Sequence, residues 1–171
     1  ADSMLNYPDF RSYERAFQLM AQVAGRAGRR NKQGLVVLQT KSPDLPLIHQ
    51  VMSNDYFRMY SEQLKERELF KYPPFYRLVY VYLKHRKEDV LDQAAELMAS
   101  CLRKGLGERV LGPDKPPVSR IQTLFIKKIV VKIELDASLA KVRAYLQQVQ
   151  RFLTEDERFR SLLVYYDVDP M

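Results

Sequence analysis

The sequence predicts an α+β chain in two parts: an autonomous C-terminal domain and an incomplete N-terminal piece. Three observations predict it. From Tyr76 onward, segments of period-two and period-3.6 hydrophobicity follow one another in the order β-α-β-β-α-β. Before that point the strand-like run is Gly34-Leu35-Val36-Val37-Leu38-Gln39-Thr40, and one strand with a few helices makes no sheet. Between the two parts lies Tyr72-Pro73-Pro74-Phe75, where consecutive prolines stop a helix and hold the preceding residues extended. The β-α-β-β-α-β order is the ferredoxin-like, split βαβ arrangement, with an antiparallel sheet covered on one side by two helices.

Each element has its own signal. Tyr13, Phe17, Met20, Ala21 and Ala24 recur at helical spacing, with Pro8 and Asp9 as a start and Gly25 as a stop. The run from Gly34 to Thr40, bounded by Gly34 and Pro43, reads as a strand buried on both faces. A short helix is expected over Leu47 to Tyr56 and a longer one over Tyr56 to Phe70. Tyr76 to His85 is rich in β-branched and aromatic residues and reads as a strand. Val90, Leu91, Ala94, Leu97, Met98 and Cys101 give a helix over Lys87 to Lys104, ended by Gly105 and Gly107. Arg109 to Gly112 is short and extended, and Pro113, Pro116 and Pro117 mark a connection. Val118 to Ile121 and Leu124 to Glu134 can pair, and in the second Ile129, Val131 and Ile133 alternate with Lys128, Val130, Lys132 and Glu134. Asp136 is a good N-cap for a helix striped by Leu139, Val142, Leu146, Val149 and Leu153. Ser161 to Val168 is a last strand, ended by Asp169-Pro170.

Composition narrows the function classes. The 171 residues are 46% apolar and 29% charged, as in ordinary globular chains. The 28 Lys and Arg exceed the 21 Asp and Glu by seven charges. That balance suits nucleic acid or another polyanion, and it equally suits a solvated basic surface. Cys101 is the single cysteine, which excludes an intrachain disulfide and a cysteine-rich zinc site and accords with a reducing cytosol. No apolar run approaches the ~18 residues of a membrane span, so no membrane partner is expected. Ala1-Asp2-Ser3-Met4-Leu5 is not a signal peptide and reads as the start of a piece cut from a longer chain. His49 and His85 are far apart, and Asp167 and Asp169 flank Val168 at a strand end, so no metal site is expected.

The stretch Gln22-Val23-Ala24-Gly25-Arg26-Ala27-Gly28-Arg29-Arg30 carries the sharpest chemistry. Glycine lets the backbone bend or approach a partner, and each guanidinium offers five donors to phosphate oxygens. By itself the stretch is either a phosphate site or a basic turn. A second constellation lies between Lys115 and Arg151, with Lys115, Arg120, Lys127, Lys128, Lys132, Lys141, Arg143 and Arg151 against Glu134 and Asp136. Phe125, Tyr145 and Phe152 are interleaved there. The lysines either contact phosphates or form a solvated face, and the aromatics either stack on bases or fill the core.

Together, Asp2-Ser3-Met4-Leu5, Pro8-Asp9-Phe10-Arg11, Glu14 to Leu19, Gln22 to Arg29 and Gly34 to Thr40 form a long string. It resembles the end of the second RecA-like lobe in the primosomal protein N′ (PriA) family, bacterial replication-restart helicases of superfamily 2. Glu66-Arg67, Tyr72-Pro73-Pro74-Phe75, Val110-Leu111-Gly112-Pro113 and Asp167-Val168-Asp169-Pro170 extend the resemblance. It implies three segments: residues 1–54 as the remnant of that lobe, 55–74 as a helical connector, and 75–171 as the family's C-terminal domain, which is ferredoxin-like. It implies that Gln22, Gly25, Arg26, Gly28 and Arg29 are motif VI, Gln-x-x-Gly-Arg-x-Gly-Arg. Arg29 would then be the arginine finger on ATP, Arg26 a bridge to phosphate or an acidic group, Gln22 a water or nucleotide contact, and Gly25 and Gly28 phosphate-side backbone.

The parent would be an ATP-dependent 3′-to-5′ DNA helicase acting at stalled forks in the bacterial cytoplasm, at the nucleoid. Its cofactors would be ATP and magnesium, with zinc held upstream of this segment. The implied partners are branched and single-stranded DNA, the acidic C-terminal tail of the single-stranded DNA-binding protein, and other primosome proteins. Arg120, Lys127, Lys128 and Lys132 are the expected DNA contacts, and Lys141 and Arg143, on the helix from Ala137 to Leu153, the expected partner contacts. The chain lacks G-x-x-x-x-G-K-[ST] and a magnesium-holding Asp-Glu pair, so alone it is expected to bind none of these cofactors and to hydrolyse no ATP. The alternative is a stand-alone nucleic-acid-binding domain of ferredoxin-like fold whose Gly-Arg turn is a basic loop. Tyr13, Phe17 and Met20 would be partly uncovered without the rest of a lobe, so disorder or an oligomer is expected around residues 1 to 40.

Overall fold

The computed structural model describes residues 2–5, 9–27 and 34–170. The chain divides into two compact units, Ala1–Phe70 and Lys71–Met171.

The first unit is helical: α1 Asp2–Leu5, α2 Ser12–Ala27, α3 Pro46–Met52 and α4 Tyr56–Leu69. The apolar face of α2 is not left bare. Ala16, Phe17 and Met20 are buried with Leu5, Leu47, Ile48 and Met59 from the other helices, and Tyr13 and Ala21 pack against the same cluster. Tyr13, Phe17 and Met20, expected to be partly uncovered, are therefore covered within this unit. A salt bridge at 2.5 Å joins Arg67 of α4 to Glu14 of α2. The N-terminus of α4 is capped by Asp55, whose carboxylate accepts from the Arg58 amide at 3.0 Å.

Two sequence expectations are corrected here. The helix α2 does not stop at Gly25 but runs to Ala27. Gly25 sits on its exposed side, where a glycine costs about 1 kcal/mol and the buried face outweighs it. Residues 34–40 form no strand, and Leu35 and Val37 are among the most exposed apolar residues. A buried strand needs neighbours for its backbone groups, and this unit has no other strand among its described residues to supply them.

The second unit is α+β, with β1 Tyr76–His85, α5 Glu88–Leu106, β2 Val110–Asp114, β3 Arg120–Ile121, β4 Leu124–Glu134, α6 Leu139–Glu155 and β5 Leu163–Val168. The strands form one five-stranded sheet in the order β2-β4-β1-β5, with the short β3 paired to β4. Each pairing is antiparallel. Strands β1 and β4 are central and in continuous register from Tyr76–Glu134 to His85–Phe125. Val79, Val81 and Leu83 of β1 and Ile129, Val131 and Ile133 of β4 pack under Leu91, Ala95, Met98 and Leu102 of α5 and Leu146, Val149 and Leu153 of α6. The alternation read in β4 thus sorts a face covered by α5 and α6 from one turned away from them, on which Ile126, and Leu78 of β1, are also buried.

Helix boundaries follow local chemistry. Gly107, at φ 59, ends α5 in a conformation that favours glycine. Gly105 lies inside α5 and serves a different need, because a Cβ there would stand 2.5 Å from the Tyr145 ring. Tyr145 of α6 reaches across to donate to the Cys101 carbonyl of α5 at 2.7 Å. The cap of α6 is Ser138 rather than Asp136, its side chain accepting from the Lys141 amide at 3.4 Å.

Candidate nucleic-acid interface

Residues facing each other across a ladder share one face of a sheet. In the second unit, Tyr80 faces Val130 and Asp167, and Tyr82 faces Lys128 and Tyr165. These residues and Lys84 alternate with Val79, Val81 and Leu83, so they lie on the face turned away from α5 and α6. Lys128 and Lys132 of β4 share that face, alternating with Ile129, Val131 and Ile133.

Rings and amines are interleaved on this face. Tyr82 and Tyr165 are stacked, with centroids 4.9 Å apart and planes 13° from parallel. Tyr80 meets Tyr82 edge-on at 6.2 Å. The Lys84 amine stands 4.6 Å from the Tyr165 centroid, the Lys128 amine 4.5 Å from that of Tyr80, and the Lys132 amine 3.7 Å from that of Tyr72. Burial holds the Lys132 amine below the ordinary lysine range, and Lys71 nearby pushes in the same direction. The face also carries acid. Asp167 lies opposite Tyr80, and Glu134 is held by Arg109 at 2.7 Å, which keeps its carboxyl below the usual range.

The four residues read as DNA contacts from the sequence do not share a surface. Lys128 and Lys132 lie on the open face. Lys127 faces Leu83 on the helix side and forms an ion pair at 3.0 Å with Asp92 of α5, its side chain only 16% exposed. Arg120 faces Phe125, again on the helix side, with its guanidinium 4.9 Å from the Phe125 centroid and its Nε donating to the Gln122 carbonyl at 3.2 Å. Lys141 and Arg143 are exposed on α6. They do not line the groove along that helix, which is formed by Ala144, Gln147, Gln148, Arg151, Phe152 and Glu155.

Of the aromatics noted in the sequence, Tyr145 belongs to the core and Phe152 is exposed. Sequence reasoning missed Tyr80, Tyr82, Lys84 and Tyr165. The signal for the first three was present in Tyr80-Val81-Tyr82-Leu83-Lys84, where every second residue is aromatic or basic.

In the first unit, Gln22, Gly25 and Arg26 occupy the last turns of α2 at spacings of three and four residues, so they share one face. That face is opposite the one bearing Ala16, Phe17 and Met20, and all three residues are exposed. Gly28 and Arg29 lie outside the described residues. Among the described residues, no group of three or more His, Cys, Asp or Glu could hold a metal ion.

The sequence profile described as primosomal protein N C-terminal domain matches residues 68–171. The chain belongs to the PriA family. Proteins named replication restart protein PriA align with it almost end to end. That of Bacillus subtilis is 32% identical over 172 residues, covering 99% of this chain and 21% of the relative. That of Treponema pallidum is 35% identical, covering 100% of this chain and 25% of the relative. That of Haemophilus influenzae is 36% identical, covering 99% of this chain and 23% of the relative. The chain thus spans about a fifth to a quarter of the length of the curated PriA relatives it matches. No helix among the described residues is long and apolar enough to cross a membrane.

Proposed function

We propose that this chain is the C-terminal portion of an ATP-dependent 3′-to-5′ DNA helicase that recognises stalled replication forks and starts primosome assembly. Membership of the PriA family, whose relatives are named for replication restart, is the observation that carries this reading. In it, residues 1–54 complete the second RecA-like lobe, 55–74 form the connector, and 75–171 are a ferredoxin-like module that contacts DNA and partners. The interleaved order β2-β4-β1-β5 supports the ferredoxin-like reading. The setting is the bacterial cytoplasm at the nucleoid. The partners are branched and single-stranded DNA, the acidic tail of the single-stranded DNA-binding protein, and other primosome proteins.

Gln22, Gly25, Arg26, Gly28 and Arg29 act as motif VI. Exposure of Gln22, Gly25 and Arg26 on the outer face of α2 suits contact with a nucleotide held by another lobe. Guanidinium and backbone N–H groups there are donors matched to phosphate oxygens, and the Gln22 amide offers both a donor NH2 and an acceptor oxygen. In this reading magnesium and zinc are held by other parts of the full-length protein. Arg29 enters the transition state, where negative charge spreads over the equatorial oxygens of the transferred phosphoryl group. In the full-length gene product, Arg29→Ala is expected to lower DNA-stimulated ATP hydrolysis by about 10³–10⁵-fold, in line with other arginine fingers, while leaving DNA binding intact. Wild-type turnover in that variant overturns the assignment.

A further inference from the structure

We propose that the open face of the sheet in the second unit is a stacking platform for single-stranded DNA, with Tyr165 and Tyr82 as its ring surface and Lys84 and Lys128 as its phosphate clamps. The inference rests on the DNA-binding reading above and names the strand and the surface. Three observations carry it.

First, the rings lie together on the face turned away from the helices, where Tyr80 and Tyr82 are half-buried. Tyr165 is 41% exposed on β5 and lies nearly parallel to Tyr82 on the adjacent strand. Second, the amines stand over rings. Lys84 lies over Tyr165 and Lys128 over Tyr80. A cation over an exposed ring is held less strongly than a base stacked on it. A nucleotide can therefore take the ring while the displaced amine, on its long flexible stem, moves to the phosphate. The ring exchanges an amine for a base, and the amine exchanges a ring for a full negative charge. Third, the charge of the face is weighted toward cations. Lys84, Lys128 and Lys132 share it, Glu134 is already paired with Arg109, and the other acids in register on it are Asp167, opposite Tyr80, and Asp114, opposite Lys128.

The strand must be single because a duplex hides the faces of its bases and offers rings nothing to stack on. Four-stranded sheets with exposed aromatics bind unpaired bases in the same physical way. Asp167 disfavours phosphate on the β5 side of Tyr80, so the backbone approaches at Lys84, beside the Tyr82–Tyr165 stack, and at Lys128, on the β4 side of Tyr80.

The test uses this chain, a short fluorescein-labelled oligo(dT) and a forked duplex, read by fluorescence anisotropy. Tyr165→Ala is expected to weaken oligo(dT) binding roughly 5- to 100-fold, the effect of losing one stacked base. Tyr165→Phe keeps the ring and is expected to bind oligo(dT) as the parent does. Lys84→Ala is expected to reduce the steepness of the salt dependence by about 0.7, one phosphate contact on a single strand. Urea midpoints check that each variant folds, and Lys84→Ala with Lys128→Ala carries the test if Tyr165→Ala does not. Parent-like oligo(dT) binding by Tyr165→Ala overturns the proposal. So does an equal loss in Tyr165→Phe, which would assign the effect to the hydroxyl rather than the ring. Binding of the forked duplex without oligo(dT) overturns this platform alone, whereas failure to bind either overturns the DNA-binding reading beneath it.

Discussion

Adjacent residues in β4 have opposite fates. Lys127 and Lys128 are chemically identical neighbours, yet the pleat sends one to Asp92 beneath α5 and the other to the tyrosine face. Charge reversal should separate them. Lys127→Glu sets a carboxylate in a largely covered position against the half-exposed Asp92, and is expected to lower stability by about 1 kcal/mol in urea unfolding. Lys128→Glu should leave the urea midpoint unchanged and weaken forked-DNA binding several-fold. Tyr166 offers a second residue-scale test. Its hydroxyl donates to Gln150 Oε1 at 2.8 Å, and burial pushes its ionisation from 10.0 up to about 12. Its folded value is raised, so its contribution is complete below pH 10.0 and is lost as pH climbs through about 12. Tyr166→Phe should cost about 1 kcal/mol at neutral pH through the lost hydrogen bond, and should flatten the alkaline fall in urea midpoint.

Elements with strong periodicity were legible in the sequence, and those that depend on a neighbour were not. Strands β1 and β4 begin and end where alternation and composition place them, because their pattern is enforced by a core they share with α5 and α6. The run at residues 34–40 has equally strong strand composition and forms none, because composition supplies no partner ladder. Gly25 and Gly105 both look like helix stops, and both lie within helices whose buried faces carry them through. The candidate site was half legible. Lys128 and Lys132 were found as charges, whereas Tyr80, Tyr82 and Tyr165 looked like ordinary strand aromatics until register placed them together. Packing between elements explains Gly105 and gives its test. Gly105→Ala gains helix propensity but drives a methyl into the Tyr145 ring, which is tethered to the Cys101 carbonyl. A net loss of about 1–3 kcal/mol is expected from overpacking, measured by urea unfolding.

At the scale of the whole molecule, the chain holds two cores of unequal size. Among the described residues, the first unit buries a small cluster around Phe17, Met20 and Leu47, and the second a much larger one between its sheet and α5 and α6. The proposed functions divide in the same way. In the proposed reading the exposed end of α2 serves a nucleotide held elsewhere, while the second unit has one face covered by α5 and α6 and another for a ligand. That reading places what the chain can do by itself on residues 71–171. Binding of this chain to forked DNA across a salt series tests that reading most directly. Contacts from Lys84, Lys128 and Lys132 predict saturable binding whose affinity falls with salt, with a log–log slope of about −2 to −3. No binding at low salt, or an affinity indifferent to salt, would contradict it.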